Sequence, residues 1–344
     1  MKYRSLGNTG MKISEVGFGC IPIIRLSEKE AVTVLHHGLD RGITFYDTAN
    51  AYADSEKKIG IAFENCRDKV VLATKTQRRD AAGMMEHLEN SLAMLRTDYI
   101  DLFQFHQVAQ AHDWQAILAP GGALEGAMKA KEEGKIRHLG ITSHSLTMSI
   151  ELMKTGLFST IMFPFNFIED AAKDEMIKLA QELNIAFIAM KPFAGGVIDS
   201  ASLAFKFLRQ YDDTIVIPGF DTCHGIDEVL AFYDQPHIMT EEDHKEINRY
   251  REEIGHQFCR RCEYCQPCPH GVMITPAMGY AIVAKRMSAA TAIKFSQKPM
   301  DTVPRCVECG ACIPRCPYNL PIPTMLKKYY SLYASHCQEQ NSKN

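Results

Sequence analysis

The sequence has no run of about 20 apolar residues, the length a membrane-crossing helix needs, although 46% of its 344 residues are hydrophobic. Its first residues, Met1-Lys2-Tyr3-Arg4-Ser5-Leu6-Gly7, hold no apolar core of the kind a secretory signal carries. A cytoplasmic location without a membrane partner is therefore expected. Tryptophan occurs once, at Trp114. Charge of one sign is not in excess overall, since 38 Lys and Arg against 41 Asp and Glu leave −3. The balance is uneven along the chain: residues 259–344 hold 11 Lys and Arg and 4 Asp and Glu, a surplus of +7, so the remainder carries −10. These basic residues are scattered among cysteines and prolines rather than gathered into a stripe, which argues against a nucleic-acid partner.

Cysteine is what the chain has in quantity, 12 in all. In a cytoplasmic protein that number argues against a disulfide framework. Eight fall in two tight groups, Cys259-x2-Cys262-x2-Cys265-x2-Cys268-Pro269 and Cys306-x2-Cys309-x2-Cys312-x3-Cys316-Pro317. Iron–sulfur quartets run C-x2-C-x2-C-x3-C-P, the fourth cysteine ligating the other cluster of a pair. The second group matches in full, and the first is one residue short before Cys268. The competing reading is two structural zinc sites, but zinc ribbons show pairs separated by a loop, not triplets followed by Cys-Pro. Of the other cysteines, Cys66, Cys223 and Cys337 read as small apolar side chains. Cys20, ending the first barrel strand, is expected at the mouth, where contact with substrate is the lesser reading.

Upstream of the cysteines the pattern alternates. Residues 2–5 and 11–15 read as a hairpin across Gly7-Asn8-Thr9-Gly10. Strands follow at 16–20, 43–47, 69–74, 99–105, 136–141, 159–163, 185–190 and 213–217. Helices are expected near 28–41, 55–65, 81–96, 122–133, 146–155, 170–183, 200–209 and 224–233, with 107–121 a connection. The first helix opens on a capping box, Ser27-Glu28-Lys29-Glu30. Eight strands each followed by a helix predict an α/β fold, a closed (β/α)8 (TIM) barrel, whose site lies at the C-terminal strand ends. The expected organisation is a barrel over 1–254, a small domain over 255–335 with a helical stretch at 277–295, and a tail over 336–344.

Four residue types for proton transfer fall at those strand ends. Asp47 ends a strand, Tyr52 follows five residues later, and Lys75 and His106 end or follow the next two strands. A phenol donates a proton near neutral pH only if its pKa falls from about 10. A Lys75 ammonium about 4 Å away, at an effective dielectric of about 20, is worth about 4 kcal/mol, roughly 3 pKa units. Asp47 would hold Lys75 charged, and a neutral His106 would donate to a carbonyl oxygen. Ser143, Asn166 and Lys191 end later strands on the same rim. The loop Pro218-Gly219-Phe220-Asp221 precedes a helix N-terminus suited to anions.

Taken together, Tyr3-Arg4-x-Leu6-Gly7-x-Thr9-Gly10, Gly42-x4-Asp47-Thr48-Ala49-x2-Tyr52, Ser55-Glu56-x2-Ile59-Gly60, Ala73-Thr74-Lys75, Asp98-Tyr99-x-Asp101, His106, Gly134-Lys135-Ile136-Arg137, Lys191-Pro192-Phe193 and Ile217-Pro218-Gly219 resemble the aldo-keto reductases. The closest likeness is to members with a C-terminal ferredoxin-like segment. The resemblance implies a barrel, carbonyl reduction with NAD(P)H and a catalytic Tyr52, Lys75, Asp47 and His106. For the cofactor it implies Ser143, His144, Asn166, Lys191 and the loop Pro218, Gly219, Phe220 and Asp221. The family usually offers Ser-Asn and Gln to the carboxamide and stacks an aromatic ring on the nicotinamide. The matching positions here read Ser143-His144, Met162 and Met190. The loop has no Lys or Arg for a 2′-phosphate and Asp221 would repel one, so NADH is favoured. No flavin motif is seen, although the altered ring-contacting positions leave room for one. Likeness to two-cluster ferredoxins implies one [4Fe–4S] cluster on Cys259, Cys262, Cys265 and Cys316 and another on Cys306, Cys309, Cys312 and Cys268.

A hydride carries two electrons and a cluster passes one, which leaves three arrangements. The chain is a carbonyl reductase whose cluster domain docks an electron-transfer partner or serves structure. Alternatively it is a ferredoxin- or flavin-linked enzyme whose clusters feed the barrel, or a non-catalytic electron-carrying or redox-sensing subunit.

Overall fold

The computed structural model describes residues 1–254, 257–286 and 289–341. The chain divides into two compact units, Met1–Ala194 with Ile198–Thr240, and Gly195–Val197 with the chain from Glu241 onward.

In the first unit, β1 (Tyr3–Ser5) and β2 (Lys12–Ser14) form the expected antiparallel hairpin. Eight parallel strands follow in chain order, each beside the next: β3 (Phe18–Gly19), β4 (Phe45–Asp47), β5 (Val71–Thr76), β6 (Ile100–Phe105), β7 (Ile136–Thr142), β8 (Thr160–Pro164), β9 (Ala186–Met190) and β10 (Thr214–Ile217). The sheet's ends meet at parallel bridges Val16–Val216 and Gly19–Gly219. There the amides of Gly17 and Gly19 donate to the carbonyls of Val216 and Pro218, each at 2.8 Å, so the sheet closes into a barrel. A Cβ on Gly17 would fall 2.7 Å from the Phe45 ring and 2.9 Å from Ile217, which explains glycine at this seam.

The helices are α1 (Glu28–Asp40), α2 (Ser55–Phe63), α3 (Ala81–Leu95), α4 (Ala111–Leu118), α5 (Ala123–Glu132), α6 (Leu146–Lys154), α7 (Met176–Glu182), α8 (Ala201–Leu208) and α9 (Cys223–Tyr233). Helix α1 has the expected capping box, Ser27 and Glu30 each bonding the other's backbone. Two expectations are corrected. The connection over 107–121 contains α4, whose Trp114 packs on Phe158 with ring centroids 5.9 Å apart. The helix expected over 170–183 is a short 3-10 turn, Ala171–Lys173, followed by α7.

Strand periodicity fills the barrel. Phe45, Ala73, Leu102, Met162, Ile188 and Ile215 form one buried core with Leu6 and Ile13 of the hairpin. Two residues further along β4, β5 and β6, the same inward face carries Asp47, Lys75 and Gln104. Outside the barrel, Asp101 is 2% exposed and accepts from Arg67 at 2.6 Å, Arg137 at 2.9 Å and the Leu72 amide at 3.0 Å. Both guanidinium groups lie over the Tyr99 ring, 4.2 and 3.7 Å from its centroid. Asp101→Ala would leave the Leu72 amide without its side-chain acceptor and take from the half-buried Arg67 its carboxylate, leaving it the Thr97 hydroxyl and the Val70 and Tyr99 carbonyls. It is expected to cost about 3 kcal/mol, read as a lower urea midpoint at unchanged slope.

The second unit contains α10 (Glu241–Ile254), α11 (Ile274–Met278), α12 (Tyr280–Arg286), α13 (Ala289–Met300) and α14 (Ile322–Asn341). By compactness α10 groups with the second unit, from Glu241 onward, whereas the sequence reading places it at the end of the barrel domain, before 254/255. Residues 255 and 256, at the expected boundary, lie outside the described residues, as do 287–288 of the helix expected over 277–295 and 342–344 of the tail. That stretch breaks around Gly279 into successive helices, and the tail's 336–341 continue α14. The core of this unit gathers Val272, Ile274, Met278, Tyr280, Met300 and Leu326 around Cys265 and Cys316. Among the described residues no helix is long and apolar enough to cross a membrane.

Candidate active site

Asp47, Lys75 and Gln104 meet because β4, β5 and β6 are neighbours and Lys75 is in register with Gln104. Lys75 Nζ donates to Asp47 Oδ2 at 2.5 Å and to the Thr48 carbonyl at 2.6 Å, and Gln104 Nε2 donates to Asp47 Oδ1 at 2.9 Å. Asp47 and Lys75 are 3% and 2% exposed. Burial acts to lower the pKa of Lys75, but the charge of Asp47 and coupling to Tyr52 outweigh it, so Lys75 is held above its usual value as an ammonium ion. Burial also pushes the Asp47 carboxyl up, while Lys75 and Gln104 offset part of that.

Tyr52 and His106 complete the group. Lys75 Nζ lies 5.1 Å from the centroid of the Tyr52 ring. The His106 ring stands edge-on to it at 5.9 Å and 82°. His106 is 8% exposed, and burial together with the charges of Lys75, Arg79 and Lys191 holds its imidazole well below the usual value. The ring is therefore neutral near pH 7. The four residues expected to act together on protons do converge on one rim of the barrel.

Gln104 and Arg79 escaped the sequence reading. Gln104 had a signal, since it precedes His106 by two in a strand and must share its face. Arg79 follows β5 and donates to the His106 carbonyl at 2.8 Å and to Asp113 at 3.0 Å. Buried polar atoms without a hydrogen-bond partner collect around this site: Asn50 Nδ2, Arg79 Nη1, Gln104 Oε1 and His106 Nδ1. Polar groups left so in a folded protein mark a place that a ligand or water completes.

The residues expected to hold a cofactor divide. Lys191, at φ +60°, reaches from the end of β9 past β8 to bond His144, after β7, at 2.5 Å. Asn166 is committed to its own loop: its amide donates to Glu169 and to the Lys191 carbonyl, and its oxygen accepts from the amides of Ile168 and Glu169. Ser143 is fully buried, its Oγ accepting from the Ser145 amide at 3.1 Å. Met162 belongs to the barrel core. Pro218 and Gly219 form the barrel seam, and Phe220, 3% exposed, packs edge-on against Phe18 at 5.2 Å. Thr222 caps α9 through the Gly225 amide. Asp221 is bonded by Arg25, whose distance in sequence hid it. Cys20 does not line the mouth: it is fully buried, with Sγ turned to the Phe18 carbonyl.

In the second unit the thiols line two pockets. Both are small, about 20 Å³ each, and partly open to solvent. One is bordered by Cys259, Cys262, Cys265 and Cys316, the other by Cys268, Cys306, Cys309 and Cys312. Each therefore draws one cysteine from the other sequence group. Among the described residues no three His, Cys, Asp or Glu side chains converge on a single point.

Residues 15–203 match the model of the "Aldo/keto reductase family" and residues 258–320 that of a "4Fe-4S dicluster domain". The chain is 31% identical over 233 residues to the aldo-keto reductase YhdN of Bacillus subtilis, covering 62% of this chain and 68% of that one. Its fold is similar to aldo-keto reductase AKR11C1 from Bacillus halodurans in its holo form, with a TM-score of 0.62, 24% identity and coverage of 73% and 96% of the two chains. It is likewise similar to an aldo-keto reductase from Klebsiella pneumoniae in complex with NADPH, with a TM-score of 0.59, 21% identity and coverage of 72% and 95%.

Proposed function

Because the chain is an oxidoreductase of the aldo-keto reductase family with a 4Fe-4S dicluster domain, we propose that it reduces the carbonyl group of a small molecule to an alcohol, using Tyr52 as proton donor. The observation that carries this reading is the buried Lys75–Asp47 pair beneath the Tyr52 ring, with a neutral His106 at its edge. A bound nicotinamide dinucleotide supplies the hydride. The chain's own groups supply the rest. The ammonium of Lys75 stabilises negative charge on Tyr52 Oη as its proton leaves. Asp47, held by Lys75 and Gln104, fixes that ammonium in place. Neutral His106 can donate one hydrogen bond to the carbonyl oxygen and so orient it without competing as an acid.

The partnerless polar atoms at the barrel mouth fit a polar cofactor, and Lys191, His144 and the loop before α9 are the groups that would hold it. The charge of Asp221 no longer argues for NADH alone, since Arg25 bonds it. That ion pair is half exposed and worth little by itself. Arg25→Ala is expected to shift the ratio of kcat/KM for NADPH over NADH a few-fold toward NADH. An unchanged ratio would show that neither charge faces the adenosine.

The two thiol pockets fit [4Fe–4S] groups. Each offers four thiols, and among the described residues no three of them converge on one point as a single tetrahedral ion would need. Such groups supply one-electron transfer. The reading is tested by anaerobic purification with iron analysis and by assaying NAD(P)H-dependent reduction of a panel of aldehydes and ketones. Colourless, zinc-loaded protein would end the cluster assignment. Iron-loaded protein that reduces no carbonyl compound would end the reductase assignment.

A further inference from the structure

The two thiol pockets are open to solvent to the same degree, but their cysteines differ in exposure. In the pocket of Cys259 and Cys262, the remaining thiols belong to Cys265 and Cys316, which are 8% and 7% exposed and part of the apolar core. In the other pocket Cys309 is exposed; Val307, which borders it, is 62% exposed, and Ile313, next to Cys312 in the same loop, is 37% exposed. Apolar side chains this open beside a thiol pocket contribute nothing to the unit's core, and such patches mark surfaces that meet another molecule. The surroundings are basic. Arg305 is exposed, and Arg315 is fixed over the loop by bonds to the Ala311 and Pro267 carbonyls, both at 3.1 Å. Lys327 and Glu308 pair and cancel. The surplus of +7 over residues 259–344 outweighs the formal charge of about −2 that each thiolate-held [4Fe–4S] group would add.

We propose that the face around Cys309, with Val307 and Ile313 as its apolar centre and Arg305 and Arg315 on its rim, docks an acidic one-electron carrier protein. The proposal rests on the reading of the thiol pockets given above. Electron exchange weakens steeply with distance, so the set nearest the surface is where a carrier must approach. A positive rim steers an acidic partner and an apolar centre holds it. Each productive encounter oxidises the carrier by one electron and reduces this unit by one, with no bond or proton changed.

The test uses full-length, iron-loaded protein and a small acidic ferredoxin as probe, with basic cytochrome c as the charge control, titrated anaerobically by calorimetry. Binding of the ferredoxin is expected to weaken about tenfold in Arg305→Glu and in Ile313→Glu, and to weaken as salt rises. Iron content and NAD(P)H-dependent reduction should stay as in the wild type. Neither Arg305 nor Ile313 borders the thiol pocket, and Arg305→Glu keeps the test open if Ile313→Glu fails to take up iron. Iron-loaded variants that bind ferredoxin as tightly as the wild type, or cytochrome c binding equally well, would overturn the docking proposal alone. Wild-type protein that takes up no iron overturns the thiol-pocket reading and this proposal with it.

Discussion

Tyr52→Phe is expected to lower kcat for carbonyl reduction by about 10³-fold, with cofactor affinity and iron content unchanged. The substitution removes only the hydroxyl, so the ring can keep its edge contact with His106 and its place over Lys75. Lys75→Met should be as damaging to turnover and, unlike Tyr52→Phe, should also destabilise the fold by about 3 kcal/mol. It strands the carboxylate of Asp47, 3% exposed, with Gln104 as its remaining side-chain partner among the described residues. That difference separates loss of the acid from loss of the scaffold. The pH dependence follows from the same groups. On the acid side the signal is in stability. The unfolded chain protonates His106 near pH 6.5 and the folded chain resists it, so stability falls as pH drops from about 6.5 toward the lower folded value. His106→Gln should flatten that part of the stability curve. Full turnover in Tyr52→Phe would remove Tyr52 as the proton donor.

The legibility of this site in the sequence had a definite physical source. Strand residues alternate faces, so Asp47, Lys75 and His106 at the ends of successive parallel strands had to share a rim once the barrel was recognised. Gln104 obeyed the same alternation and was passed over because glutamine is not itself an acid or base. Arg25 could not be found this way. It reaches Asp221 only because β3 and β10 are joined where the barrel closes, a contact across most of the first unit's sequence. Asn166 and Ser143 stood at strand ends and read as ligand contacts, yet short polar side chains at such positions bond their own loops. Helix α4 was hidden because its eight residues bury only Ile117 fully, leaving little apolar periodicity. In the second unit Gly279, with Pro276 three residues before it, obscured where α11 ends and α12 begins, so only helical content was readable over 277–295.

The cysteines allow a sharper test, because sequence order and spatial grouping disagree about Cys268 and Cys316. Cys316 belongs to the second sequence group, but it borders the pocket of Cys259, Cys262 and Cys265. Cys268 belongs to the first and borders the pocket of Cys306, Cys309 and Cys312. Cys316→Ala is therefore expected to remove about half of roughly eight irons per chain, and Cys268→Ala to remove the other half. Pairing the variants decides the grouping without identifying either group spectroscopically. Adding Cys259→Ala to Cys316→Ala should cost little further iron, since both changes fall on one set. Adding Cys309→Ala to Cys316→Ala should cost nearly all of it. The reverse pattern, with Cys316 and Cys309 behaving as one set, would mean that each quartet is local in sequence. Stability should follow the iron. Because metal binding and folding are linked, Cys316→Ala, which opens a cavity in the apolar core around Ile274 and Leu320, should lower the second unit's unfolding temperature more than Cys309→Ala on the exposed face.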